Sequence, residues 1–265
     1  MGVRHWTGLY AEYFRLHLKA MAQFRADFVL VIAGATIRDG AALLFLGIIF
    51  GRIPALAGWS LDELLLAYGL LTAGGYLGSI FLNSAHNLSW YVQMGQFDVL
   101  LIRPAPPLFQ LIGEQPINIT FVGNFLVGVA TIGVALGRLD LPFQPWWLLY
   151  LPATLLSGVL IGFSINLIGA CLTFRFTSVS SLLIMLGYVP EFARFPLAIY
   201  ATPVAFVLTW ILPHAMYGLY PAGFLLGKAG YTPYGLLAPI MGWLFLALAL
   251  SFWRLSSRWY SSTGT

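Results

Sequence analysis

The sequence predicts an all-α, polytopic membrane protein, and three observations lead there. Of its 265 residues 60% are hydrophobic and 16% aromatic, while only 8% carry charge; a soluble domain has about 25% charged residues. Apolar runs of about 20 residues recur, the length a helix needs to cross roughly 30 Å of hydrocarbon. Outside those runs no stretch exceeds about 35 residues, too short for a soluble domain of ordinary size. Residues 1–265 therefore read as a single transmembrane domain.

The first 27 residues do not read as a cleavable signal, because charges are spread through them and no compact apolar stretch is present. At about 100° per residue, Arg4, Glu12, Arg15, Lys19 and Gln23 fall on one arc of a helix. Trp6, Leu9, Tyr10, Tyr13, Phe14, Met21 and Phe24 fall on the opposite side. That pattern predicts a helix over residues 1–27 lying in the membrane interface, aromatic face down.

Apolar runs place spans one to four at residues 28–50, 64–82, 117–136 and 147–171, and span six at 235–253. Between 179 and 226 the apolar sequence is too long for one crossing, and Pro190, Pro196, Pro203, Pro213 and Pro221 break it into short pieces. Charge sets the parity. With six crossings and both termini in the cytoplasm, the inner segments hold Arg4, Arg15, Lys19, Arg25, Arg103, Arg175, Arg254 and Arg258. The outer loops hold Arg52, Arg138 and Lys228, so the excess of Lys and Arg is cytoplasmic, as expected. Five or seven crossings would put the basic C-terminal tail outside. Residues 179–195 then form the fifth span and residues 196–226 an outer re-entrant hairpin of two short helices. Its non-helical backbone must be buried in protein or line water. The alternative is a straight crossing at 202–222 with a re-entrant 179–195.

Arg38 and Asp39 stand near the middle of the first span, where a charge costs about 2.5–3.5 kcal/mol on insertion scales and rarely faces lipid. Neighbouring positions point about 100° apart and do not pair merely by being neighbours. The two need partners from another helix or subunit, or a water-filled path; a pathway role and a structural pairing are both open. Glu191 and Arg194 are spaced i, i+3 at the outer end of the fifth span and are placed to pair locally. Glu114 reads as interfacial. Gly69, Gly74, Gly75 and Gly78 would let another helix approach span two closely. The single cysteine, Cys171, excludes an intrachain disulfide and reads as packing.

Catalysis has no visible constellation. The stretch GFLLGKA, residues 223–229, lacks the spacing and the hydroxyl residue of a phosphate-binding loop. His5, His17, His86 and His214 share no ligand spacing with one another or with acids, which argues against a metal site. Ser164 has neither the glycine frame of a nucleophile elbow nor a nearby histidine. The net charge of +4, placed mostly inside, suits anionic membrane lipid rather than nucleic acid.

The longest inner segment, residues 83–110, mixes a short amphipathic run from Trp90 to Ile102 with a stop at Arg103-Pro104 and the rigid pair Pro106-Pro107. It presents a shaped, partly apolar face to the cytoplasm. Phe97, Leu100 and Leu101 lie at helical spacing and would fit a groove on another protein, with Asp98 and Arg103 fixing orientation at the rim. The competing reading is a helix that lies on lipid. Here GQFDVLLIRP, from Gly95 to Pro104, followed by Leu108, Phe109 and Gln110, resembles the cytoplasmic segment between the second and third spans of ABC-2 type permeases. The resemblance extends to an interfacial elbow helix before span one, to GWSLDELLLAYG from Gly58 and FARFPLAIY from Phe192. It continues through LPHAMYGLYPAGFLLG from Leu212 to the C-terminal RWYSSTG.

That resemblance implies the membrane subunit of an ATP-binding-cassette exporter in a prokaryotic inner membrane. The chain would hold no cofactor, ATP and Mg being bound by a separate ATPase subunit, and would pair with a second, identical or homologous permease subunit. The segment corresponding to Gly95–Pro104 is then the coupling helix, with Gly95, Phe97, Asp98, Leu100, Leu101 and Arg103 at the ATPase interface. Arg38, Asp39, Glu191 and Arg194 remain candidates for the pathway or an intersubunit contact. The alternative is an ion-coupled secondary transporter using Arg38, Asp39 and Glu191, weakened by the lack of an evident inverted repeat. An intramembrane enzyme would need paired acids, a Ser and His set or metal ligands. Cargo identity is not legible; aromatic richness suits an amphiphile but is common at any membrane interface.

Overall fold

The computed structural model describes residues 25–176 and 179–261, together with Gly8, Glu12, Phe14 and Arg15. Most of the interfacial helix expected over residues 1–27 lies outside the described residues. Helix α1 (Arg25–Phe50) carries the first apolar run. A tight turn with left-handed backbone at Ala57 and Gly58 then returns the chain. Helix α2 (Leu61–Leu82) starts at Leu61 rather than at residue 64, because Ser60 and Glu63 form a capping box. Glu63 N donates to Ser60 Oγ at 3.4 Å and Ser60 N donates to Glu63 Oε2 at 2.7 Å, so the charged Asp62 and Glu63 belong to the first turn.

A 3₁₀ turn at Asn83–Asn87 leads into three short helices, α3 (Leu88–Gln93), α4 (Phe97–Ile102) and α5 (Pro107–Glu114). Helices α6 (Val122–Arg138) and α7 (Trp147–Cys171) follow. Helix α8 (Ser180–Phe192) has 13 residues, about 20 Å at 1.5 Å per residue. Next come α9 (Thr202–Phe206), continued by a π-helical turn at Val207–Ile211, and a 3₁₀ turn at His214–Tyr217 leading to α10 (Leu219–Leu225). The two halves of this stretch bend by 66° across the break that holds Pro213. Helix α11 (Thr232–Ser256) closes the fold.

Among the described residues five stretches are long and apolar enough to cross a membrane: Ile32–Phe50, Leu61–Gln93, Ile119–Arg138, Trp147–Phe174 and Thr232–Trp259; the bent pair adds up to one more. The chain is an all-α polytopic integral membrane protein. Apolar side chains such as Leu44, Leu149, Leu244 and Leu248 stand exposed on these helices, as hydrocarbon allows and water does not.

Helices α2 and α7 form the centre, with α6 packed on α2 and α11 on α7. Small residues set the approach. A Cβ on Gly128 of α6 would lie 2.6 Å from Ala73 N, one on Gly69 would lie 2.7 Å from the Ile132 side chain, and one on Gly78 would lie 3.1 Å from Val159 Cα. The glycines read from span two as approach points thus admit two neighbours, α6 and α7. Ser157 of α7 reaches into α11, where its Oγ donates to Ala238 O at 2.6 Å and accepts from Gly242 N at 2.9 Å. One hydroxyl therefore sits between the ends of an i, i+4 backbone pair that spans Pro239, and joins the two helices.

The two ends of the bundle are distinct. At one, Lys228 bonds Glu63 and the Gly58 carbonyl, both at 2.9 Å, and lies 4.8 Å from the Trp59 ring centroid, while Arg138 pairs with Asp62 at 3.4 Å. At the other, Phe97, Phe174, Trp253 and Tyr260 form an aromatic cluster.

Candidate functional site

A charged cluster forms where α1, α2, α6 and the end of α8 meet. Asp39 is fully buried, on the same face of α1 as Leu46 two turns on. Asn124 of α6 donates from Nδ2 to Asp39 Oδ2 at 2.6 Å. Asp39 Oδ1 accepts no hydrogen bond but faces two guanidinium groups, Arg38 at 3.5 Å and Arg194 at 3.9 Å. Arg194 also pairs with Glu191, and its guanidinium lies 5.0 Å from the centroid of the buried Tyr68 ring. Arg38 is largely exposed and donates to the Tyr76 hydroxyl.

The four charged residues expected at the pathway or an interface thus come together, and two positive charges offset two negative ones. Glu191 and Arg194 pair at i, i+3 as their spacing suggests. Asp39 finds partners on α6 and in the turn that follows α8, within the same chain. Arg38 and Asp39 also approach each other, because the long arginine side chain spans the angle between neighbouring positions. Asn124, Tyr68 and Tyr76 were not singled out from sequence. Asn124 carried a usable signal, as a side-chain amide in an otherwise apolar span.

Beside the cluster lies a cavity of about 130 Å³ between α2, α7, α8 and the 3₁₀ turn at His214–Tyr217. Thr72 and Tyr76 line it from α2, Asn166 from α7 and Glu191 from α8, and His214 and Tyr217 close it. His214 Nδ1 and the Tyr217 hydroxyl are 2.7 Å apart. His214 Nε2 and Thr72 Oγ1 are buried without hydrogen-bond partners. Among the described residues no three His, Cys, Asp or Glu side chains gather as metal ligands would.

The second feature is the segment from Asn83 to Glu114. Gly95 has φ +66°, which lets the chain turn sharply between α3 and α4. Gln110 of α5 is buried and donates to the carbonyls of Leu100 at 2.8 Å and Ala105 at 2.7 Å, so the proline-bounded turn is tied to the end of α4. The Tyr91 hydroxyl donates to Glu114 at 2.6 Å. Phe97 and Leu100 are 1% and 3% exposed, which corrects the expectation that they fill a partner's groove. They face inward because Phe97 is the hub of the aromatic cluster formed by the ends of α7 and α11. The outward face of α4 is instead Val99, Leu101 and Ile102, the last 82% exposed, with Arg103 beside it. Asp98 stands at the cluster's edge by Tyr260, where burial first, and then this carboxylate, raise the pKa of the phenol.

A family model described as ABC-2 family transporter protein matches residues 37–264. No curated protein and no solved structure matches the chain.

Proposed function

We propose that this chain, which belongs to the ABC-2 transporter family, is the permease subunit of an ATP-driven exporter. It would act with a second permease subunit and with separate ATPase subunits that bind ATP and Mg, in a prokaryotic inner membrane with both termini cytoplasmic. The observation that carries the reading is the family match over residues 37–264 together with an exposed apolar edge, Val99, Leu101 and Ile102, on a braced turn at one end of the bundle. Apolar side chains held out at such a place suit a protein groove.

In this reading the ATPase grips the outward face of α4 and the Arg103 that follows it. Phe97 and Leu100 carry the displacement inward, because they pack on the ends of α7 and α11. Tilting those helices against α2 alternates access, and the bent stretch at 202–225 forms the outer gate. The charge cluster holds α1 to α6 and α8 while the rest moves.

Purification of the tagged chain from its native membrane in mild detergent tests the proposal. A stoichiometric P-loop ATPase, and ATP-dependent transport by the reconstituted pair, are expected. Transport in ATPase-free vesicles driven by an ion gradient would overturn it, in favour of an ion-coupled transporter using Arg38, Asp39 and Glu191.

A further inference from the structure

We propose that the groove between the C-terminal halves of α1 and α6 binds one phosphatidylethanolamine, held as a fixed lipid and not as cargo. The two helices form a V. At its closed end Asn124 bonds Asp39, and a Cβ on Gly123 would lie 3.1 Å from the Ile32 carbonyl oxygen, so the backbones touch. Beyond that point the helices part and a groove of about 830 Å³ opens. Leu61 and Leu65 of α2 form its floor, Leu44 and Gly47 of α1 one wall, and Thr131 and Val134 of α6 the other. A Cβ on Gly47 would meet nothing within 4 Å, so the groove is open along its length.

Length selects the kind of occupant. From Val127 to Arg138, which line the groove at its two ends, α6 rises about 16 Å at 1.5 Å per residue. That is about half of a hydrocarbon core roughly 30 Å thick, the share of one leaflet. A transmembrane helix of a second copy would need a face running the whole thickness, whereas here α1 and α6 close on each other at Asp39 and Asn124. One acyl chain, reaching inward from the interface, fits both the length and the apolar walls.

The open end selects the head group. Arg138 lines it and pairs with Asp62 at 3.4 Å, the two side chains being 60% and 33% exposed. A guanidinium has more N–H donors, and a carboxylate more lone pairs, than this one contact uses. A phosphate accepts from Arg138 and a primary ammonium donates to Asp62, both charge-assisted bonds. Phosphatidylethanolamine carries those two groups side by side. A choline head has no N–H to donate, and a glycerol head has no cation. Around this end Arg52, Arg138 and Lys228 are matched by Asp62, Glu63 and Asp140, so no net charge favours an anionic lipid. The inference needs only a chain that spans a membrane, and stands apart from the exporter reading.

Native mass spectrometry of the full chain, delipidated in mild detergent, provides the test. The chain is titrated with palmitoyl-oleoyl phosphatidylethanolamine, phosphatidylcholine or phosphatidylglycerol. One saturable ethanolamine lipid per chain is expected, with the choline and glycerol lipids each about tenfold weaker, the loss of one charge-assisted hydrogen bond. Gly47→Leu fills the groove, since a Cβ there meets open space, and is expected to abolish the saturable site while the protein stays folded. Asp62→Asn removes the partner of the ammonium and is expected to end the preference for the ethanolamine over the glycerol head. Equal retention of the three lipids by the unchanged chain, an intact ethanolamine site in Gly47→Leu, or an unaltered preference in Asp62→Asn would each overturn the proposal. So would a lipid-free dimer that Gly47→Leu dissociates, because a second copy would then occupy the groove.

Discussion

Asn124 donates to Asp39 at 2.6 Å, joining α6 to α1 through the one buried carboxylate among the described residues. Removing one partner of a buried charge network is costly because the other charges stay behind, about 3–5 kcal/mol. Asp39→Ala is therefore expected to lower the thermal midpoint, read as loss of the monodisperse chromatographic peak on heating in detergent, far more than Arg38→Ala. Asn124→Ala is expected to fall between them, at about 1–3 kcal/mol.

The approach of α2 and α6 depends on missing methyls at Gly69 and Gly128. Gly128→Ala would push a Cβ to 2.6 Å from Ala73 N, where backbone cannot give way, and is expected to destabilise by about 1–3 kcal/mol. Gly133→Ala on the same helix meets nothing within 4 Å and is expected to be neutral or to stabilise by up to about 1 kcal/mol. The same heating assay compares the two.

Ser157→Ala removes the hydroxyl set between Ala238 O and Gly242 N. A loss of about 1–3 kcal/mol is expected, with faster hydrogen exchange at Gly242 as the local readout. Ser164→Ala is the control: that hydroxyl bonds only its own helix, at Leu160 O, and little change is expected.

Much of the fold was legible because hydrocarbon imposes one rule, a long apolar helix, on each crossing. Trp147–Cys171 coincides with the expected fourth span. Helix α2 starts three residues before the apolar run at 64–82, and the S-x-x-E pattern of Ser60 and Glu63 is the sequence signal for that start. In α4 both faces are apolar over six residues, so periodicity alone does not decide which one packs. That choice is made by Phe174, Trp253 and Tyr260, far away in sequence. The charged residues of the cluster were visible as misfits in apolar spans, but their pairing through Asn124 and Tyr76 needed the helices' arrangement. The cavity needed it more, since Thr72 and Asn166 are unremarkable membrane residues until α2 and α7 stand side by side.

The two faces of α4 separate folding from docking. Phe97→Ala removes a buried ring and is expected to destabilise by about 3–5 kcal/mol. A surface change on the opposite face leaves the core intact, and is expected to hold the stability within about 0.5 kcal/mol of the parent.

The most direct measurement of the central claim is therefore the stoichiometry of the P-loop ATPase that co-purifies with Ile102→Asp. That residue is 82% exposed at the end of α4. The expected result is wild-type expression and thermal midpoint with the ATPase lost, while the unchanged chain retains it. A full complement of ATPase on the Ile102→Asp variant, or none on the unchanged chain, would contradict the reading of this segment as the docking site.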